Sequence, residues 1–191
     1  MDNILVMLSG GIDSTWVLLY YLKNTEIPIY THHIILRCDV ERRFHQETKA
    51  TNSVLEWMNK EYPGRIVKNY NSNWWMNSNV SGKDIDLSLF IGATVASRLP
   101  GDTAVATGRN LEDDGIDGAA AANKVWKSFA ETYDGLVWET LKPGKDLHKS
   151  EIIDQLPEDL LELTWSCRSS STDTQCGKCH ACLLNKGELI K

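Results

Sequence analysis

Four of the five cysteines, Cys167, Cys176, Cys179 and Cys182, fall in a C-x8-C-x2-C-x2-C pattern. Two-residue spacers let successive thiolates turn toward one centre, and four thiolates fill every position of tetrahedral zinc. That is the donor set of a structural metal. An iron–sulfur cluster is the rival reading, because C-x2-C-x2-C also opens ferredoxin motifs; there the fourth cysteine follows and is tied to a proline, whereas here it precedes. His180 lies between two of the ligands and reads as a solvent-facing loop residue, with substitution for a thiolate as the alternative. Clustering of this kind does not fit a disulfide framework spread through a secreted domain, and the remote Cys38 reads as a buried apolar side chain.

A second set of residues points to phosphate chemistry. Ser9-Gly10-Gly11-Ile12-Asp13-Ser14-Thr15 follows a short apolar run, Asn3 to Leu8, and precedes a mostly apolar stretch from Ser14 to Lys23. Two glycines let a backbone approach an oxyanion, a helix N-terminus supplies free N–H groups, and Ser9, Ser14 and Thr15 add hydroxyls. Together they predict a pyrophosphate cradle. The loop has no lysine where a Walker A loop requires one, which argues against phosphoryl transfer of the P-loop kind. The bland alternative is a turn whose Asp and Ser are ordinary helix caps.

Thr107-Gly108-Arg109-Asn110-Leu111-Glu112-Asp113 is the third candidate. Its glycine permits close approach, Asn110 offers hydrogen bonds to a ligand, and Glu112, Asp113 and Asp114 are possible magnesium ligands; a solvated acidic turn is the alternative.

These residues need a frame that brings them together. Asn3 to Leu8 reads as a buried parallel strand, Ile27 to Leu36 as a second, Arg65 to Tyr70 as a third, Thr103 to Thr107 as a fourth and Leu136 to Thr140 as a fifth. Helices are predicted from Ser14 to Lys23, Arg42 to Tyr62, Ile85 to Leu99 and 119 to 133, with Pro63-Gly64 and Pro100-Gly101 stopping two of them. Such alternation predicts an α/β fold with a doubly wound parallel sheet, whose ligands sit at the carboxyl ends of the strands. Asn71 to Lys83 is polar and reads as an irregular loop over the site. Residues 1–142 form the predicted nucleotide-binding domain. Residues 143–191, with short helices around Lys149 to Leu163 and the cysteine-rich tail, form a zinc-bound appendage of it.

Composition narrows the partners. The 191 residues carry a net charge of −6, so the chain lacks the basic field that drives binding to phosphate backbones, and direct polynucleotide binding is not expected. No apolar run approaches the roughly 20 residues of a membrane helix, and the amino terminus lacks the pattern of a secretory signal. A cytoplasmic protein with a small-molecule substrate is the expectation.

The Ser-Gly-Gly-x-Asp-Ser signature directly after a first strand resembles the PP-loop superfamily of ATP pyrophosphatases, with its adenine nucleotide alpha-hydrolase-like fold. At both ends the likeness becomes narrower. Thr164-Trp165-Ser166-Cys167 with Cys176-Gly177-Lys178-Cys179-His180-Ala181-Cys182 is similar to the tail of the 7-cyano-7-deazaguanine synthases. Leu147-His148-Lys149-Ser150-Glu151-Ile152 resembles that family's Lys-x-Glu-Ile helix start, and Thr107 to Asp113 its Thr-Gly-x-Asn-Ala-Glu-Asp loop. Where the family has Tyr-Ser-Gly-Tyr-Pro-Asp-Cys-Arg, this chain continues Asp114-Gly115-Ile116-Asp117-Gly118-Ala119-Ala120-Ala121, and Ser81-Gly82-Lys83-Asp84 replaces Pro-Gly-Arg-Asn.

The resemblance implies a ligase that converts 7-carboxy-7-deazaguanine and ammonia into the nitrile through adenylylated intermediates, releasing AMP and pyrophosphate, in a homodimer. It implies that Leu8, Ser9, Gly10, Gly11, Asp13, Ser14, Thr15, Thr107, Gly108 and Asn110 bind ATP, with backbone groups near His33 reading the adenine. Asp13, Ser14, Asp113 and Lys149 are then catalytic, with magnesium on the phosphates. For Lys149 a plain helix-surface role is the alternative. Trp74, Trp75, Trp126 and Trp165 offer faces for a deazapurine, although tryptophans more often pack in cores. Three other functions are the alternatives: a divergent adenylylating enzyme acting on another carboxylate or amide, a tRNA-thiolating relative, which needs a free catalytic cysteine and a basic surface, and a nucleotide-binding module without activity.

Overall fold

The computed structural model describes residues 1–38, 43–76, 84–113, 116–169 and 172–187. Its centre is β1 (Asn3–Met7), buried at every position. On one side β1 pairs in parallel with β2 (Ile29–Cys38), on the other with β4 (Thr103–Ala106). β3 (Ile66–Met76) lies outside β2, giving a four-stranded parallel sheet in the order β3-β2-β1-β4.

Alternation along β1 divides the core into two layers, because successive side chains leave opposite faces of a strand. Ile4, Val6 and Leu8 pack with α1 (Ile12–Asn24), α2 (Phe44–Glu61), α5 (Lys149–Asp154) and α6 (Glu158–Glu162). Leu5 and Met7 pack on the other face with α3 (Asp84–Ala96) and α4 (Ile116–Thr132), where Trp126 is fully buried. Helices therefore cover both faces, which explains why β1 reads as an unbroken apolar run. A short α7 (His180–Asn185) closes the described chain.

Two predicted elements differ. Leu136 to Thr140 is not a strand: it follows β4 in parallel but touches it only at isolated bridges, Thr103 to Leu136 and Ala106 to Leu141. Between those bridges the chain carries the half-exposed Trp138. In the other direction, β3 runs on to Met76, so residues 71–76 of the predicted loop are strand; 77–83 lie outside the described residues. Pairing with β2 continues through that extension from His33 to Cys38, and His32 Nε2 meets Ser72 Oγ at 2.9 Å. An edge strand needs no apolar outer surface, so its polar residues concealed it.

Among the described residues no helix is long and apolar enough to cross a membrane.

Candidate functional site

A cavity of about 740 Å³ opens where β1 and β4 end and along β2, within the size range of ordinary ligand sites. Ser9, Gly11, Asp13 and Ser14 line it from the first loop, Thr107, Gly108, Asn110 and Asp113 from the loop after β4, and Lys149 from α5.

The first loop is held open by its own hydroxyls. Ser14 Oγ accepts from Ser9 N at 3.1 Å, lies 3.0 Å from Ser9 Oγ and donates to Gly11 O at 3.2 Å. No side chain of the N-cap residue Gly11 caps α1, although the Gly11 amide itself donates to Ser9 Oγ at 3.3 Å, so the first-turn amides that follow are without a capping side chain. The two glycines do different work. Gly10, at φ +77°, is pressed on α2, where a Cβ would come within 2.7 Å of Thr51 N; its glycine is required for packing, not for phosphate approach. Gly11 has room for a Cβ and is the residue that faces the cavity.

The second loop is pulled against the first. A Cβ on Gly108 would lie 2.6 Å from Ser14 N, so only glycine allows the two loops to touch. Asn110 Nδ2 donates to Asp13 Oδ1 at 3.0 Å, and Lys149 Nζ donates to Asp13 Oδ2 at 2.6 Å. Asp13 thereby ties α1, the β4 loop and α5 into one charged cluster. Asp113 closes the loop by accepting from Asn110 N at 3.2 Å while its own amide donates to Asn110 Oδ1. Burial, and then the charge of Asp13, push the Asp113 carboxyl upward. A cation between the two carboxylates would relieve that repulsion.

Glu112 is placed elsewhere. It accepts from Lys149 N at 3.0 Å and meets His148 Nδ1 at 2.9 Å, so it fastens the start of α5 and does not face the cavity. Burial opposes its ionisation, but the hydrogen bond to His148 and those from backbone amides draw its pKa down. Glu112, read from the sequence as a possible magnesium ligand, is engaged with the start of α5, and Asp114 lies outside the described residues.

His33 is also turned away. Its ring meets Leu8 O at 3.0 Å and Thr48 Oγ1 at 3.1 Å between β2 and α2, and burial lowers its pKa. Thr15, in the first turn of α1, is fully buried with its hydroxyl unpartnered. Thr107 Oγ1 is likewise buried without a partner, but Thr107 lines the cavity beside the loop. Of the tryptophans, Trp126 is core with Nε1 bonded to Val137 O, while Trp165 lines the cavity. Trp74 and Trp75 are exposed on β3.

The four cysteine sulfurs all lie within 4.8 Å of one another. Tetrahedral zinc with Zn–S bonds of about 2.3 Å sets sulfurs about 3.8 Å apart; the Cys176–Cys182 and Cys167–Cys179 separations are both 4.0 Å. Backbone amides approach the sulfurs, Cys176 N to Cys167 Sγ and Cys179 N to Cys176 Sγ, each at 3.3 Å. Burial works against the Cys179 thiolate, yet hydrogen bonds from the Arg168 and Cys182 amides bring its pKa to about 6. Such a knot suits one tetrahedral ion; a multi-iron core between the sulfurs would hold them further apart. The unit can hold a metal such as zinc. Among the described residues it is the only group of three or more His, Cys, Asp or Glu side chains so gathered.

Several lining residues carried no sequence signal. Arg43 and Glu47 at the start of α2, His32 on β2, and Arg168 and Ser169 after Cys167 all reach the cavity. The basic ones look like any surface cation in the sequence, and the fold places them on the same cavity as the Ser9–Thr15 loop. More unexpectedly, Cys179 and His180 line the cavity, so the metal unit is one of its walls.

No protein-family model matches the chain, and neither does any curated protein.

Proposed function

We propose that this chain is an AMP-forming ligase of the ATP pyrophosphatase type, in which the Ser9–Thr15 loop holds the phosphate tail of ATP while an acceptor carboxylate attacks the α-phosphorus. The observation that carries the reading is the Asn110–Asp13–Lys149 cluster set against an uncapped helix N-terminus in one cavity. Amides, hydroxyls and a buried ammonium at that point favour the build-up of charge on a departing pyrophosphate. Asp13 and Asp113 are the residues that would hold magnesium there; bound, the ion neutralises phosphate charge.

A carboxylate is a poor electrophile, and adenylylation corrects this. The acceptor oxygen bonds to the α-phosphorus as the bond to the β-phosphate oxygen breaks and pyrophosphate leaves. Ammonia adds to the acyl carbon, AMP departs with the acceptor's oxygen, and an amide remains. A second adenylylation on the amide oxygen, followed by loss of AMP and protons, gives a nitrile. The chain's own contribution is position and electrostatics.

The acceptor in this proposal is 7-carboxy-7-deazaguanine, supported by the likeness of the Thr107–Asp113, Leu147–Ile152 and Thr164–Cys182 segments to 7-cyano-7-deazaguanine synthases. The same likeness supports zinc in the cysteine unit and a cytoplasmic homodimer. Incubation with ATP, magnesium, ammonium and the carboxylate should yield AMP, pyrophosphate and a product with the mass of the nitrile. ADP in place of AMP would overturn the reaction class; AMP formed only with a different carboxylate would overturn the acceptor.

A further inference from the structure

The segment between α6 and the first cysteine touches both candidate sites. Trp165 N donates to Gly10 O at 2.9 Å, which anchors it to the phosphate loop. A Cβ on Gly11 would lie 3.5 Å from Trp165 O and 3.7 Å from Ser166 Oγ, so the same segment backs the glycine that faces the cavity. Two residues on, Trp165 Nε1 donates to Cys167 O at 2.9 Å, fixing the indole to the backbone of a metal ligand. Cys167 is buried, and its sulfur accepts from Cys176 N. From Gly10 to the metal centre there are thus only three residues of strap, Trp165 to Cys167, hydrogen-bonded at both ends. Beyond it Cys179 and His180 form cavity wall.

A closed tetrathiolate site is expected to be a remote staple, indifferent to the chemistry. Here its loss would release the strap and one wall together. Metal binding fixes residues that are free to move when the thiolates are unligated, and the ordering cost of the phosphate loop is then already met when nucleotide arrives.

From this we infer that metal held by Cys167, Cys176, Cys179 and Cys182 and nucleotide held by the Ser9–Thr15 loop bind with positive linkage, Trp165 being the positioning residue that transmits it. The inference rests on the proposed nucleotide site and specifies how that site is regulated. Linkage of this kind is reciprocal: each ligand raises the affinity for the other by the same factor, typically about 5- to 150-fold.

The test uses the full chain, zinc and α,β-methylene-ATP with magnesium, a nucleotide that cannot be split at the α–β position. Zinc affinity is measured by competition with a chromophoric chelator, with and without saturating nucleotide; nucleotide affinity is measured by calorimetry on zinc-loaded and zinc-free protein. Zinc affinity should rise at least about fivefold with nucleotide present. It should return toward the nucleotide-free value in Trp165→Ala, and partly in Trp165→Phe, which keeps the ring but loses the bond to Cys167 O. Nucleotide binding to loaded protein with no change in zinc affinity would overturn the linkage and leave the proposed function standing. Coupling unchanged in both variants would remove Trp165 from it. No nucleotide binding to loaded protein would overturn the proposed function and the linkage with it.

Discussion

Replacing Asp13 by Asn keeps the shape of the side chain and removes its charge from the centre of the site. The Lys149 ammonium, whose side chain is 6% exposed, then loses the carboxylate 2.6 Å away. Breaking a fully buried pair from one side costs about 3–5 kcal/mol. Asp13 is 25% exposed, so water recovers part of that loss and about 2–3 kcal/mol is expected. In a chain of this size the melting temperature falls by roughly 5–10 °C. Lys149→Met should cost less, about 1 kcal/mol, because the Asp13 carboxylate keeps its bond from Asn110 and its access to water. With both changes together no charge is stranded, so the double variant should be more stable than Asp13→Asn alone, a coupling of about 1–3 kcal/mol. Urea denaturation of the four zinc-loaded proteins measures that coupling. Pyrophosphate release from the same samples should fall by about a hundredfold or more in all three variants, since restoring stability does not restore the charges. Additive stabilities within about 0.5 kcal/mol would refute the pairing. Wild-type pyrophosphate release from Asp13→Asn would refute its role.

Gly108→Ala places a methyl against the backbone of Ser14 and Asp13, not against a flexible chain end, and should destabilise by about 1–3 kcal/mol while weakening nucleotide binding; unchanged nucleotide affinity by calorimetry would dissociate loop contact from binding. His32 is buried, and that burial, reinforced by His33, brings its pKa from 6.5 to about 4. The unfolded chain therefore takes up this proton first, so stability is unaffected above about pH 6.5 and falls as pH drops toward 4, by roughly 3 kcal/mol in all. Urea midpoints between pH 7 and 4 should be flatter in His32→Asn, and an identical acid profile would exclude the group. Removing metal with a chelator should lower the melting temperature by releasing α7 and the cysteine loops, and added zinc should restore it; a melt indifferent to the chelator would exclude a structural metal.

Much of the frame was legible because it depends on local pattern. The apolar run at Ile4 to Leu8 and the Gly-Gly turn after it have one reading, a buried strand entering a helix. The cysteine spacing points as directly to a metal, because two-residue spacers let successive thiolates turn toward one centre. What stayed hidden depends on tertiary partners. Asn71 to Asn73 in the outer half of β3 are polar, and that half is strand because β2 pairs with it from His33 to Cys38 and His32 meets Ser72. Leu136 to Thr140 has the apolar character of a strand but lifts from β4 at Trp138. Glu112 and Asp113 are neighbours of identical charge, yet one turns to α5 and the other to the cavity, a distinction no spacing encodes. Nor does spacing show that a metal site near the end of the chain forms the wall of a site built by its beginning.

Cleavage of ATP next to the nucleoside can be followed directly with an acceptor whose carboxylate carries 18O. If the acceptor attacks the α-phosphorus while the Ser9–Thr15 loop holds the departing pyrophosphate, mass spectrometry should find one 18O atom in the AMP released as the amide forms, and none in pyrophosphate. Label in inorganic phosphate with ADP as the nucleotide product would contradict it.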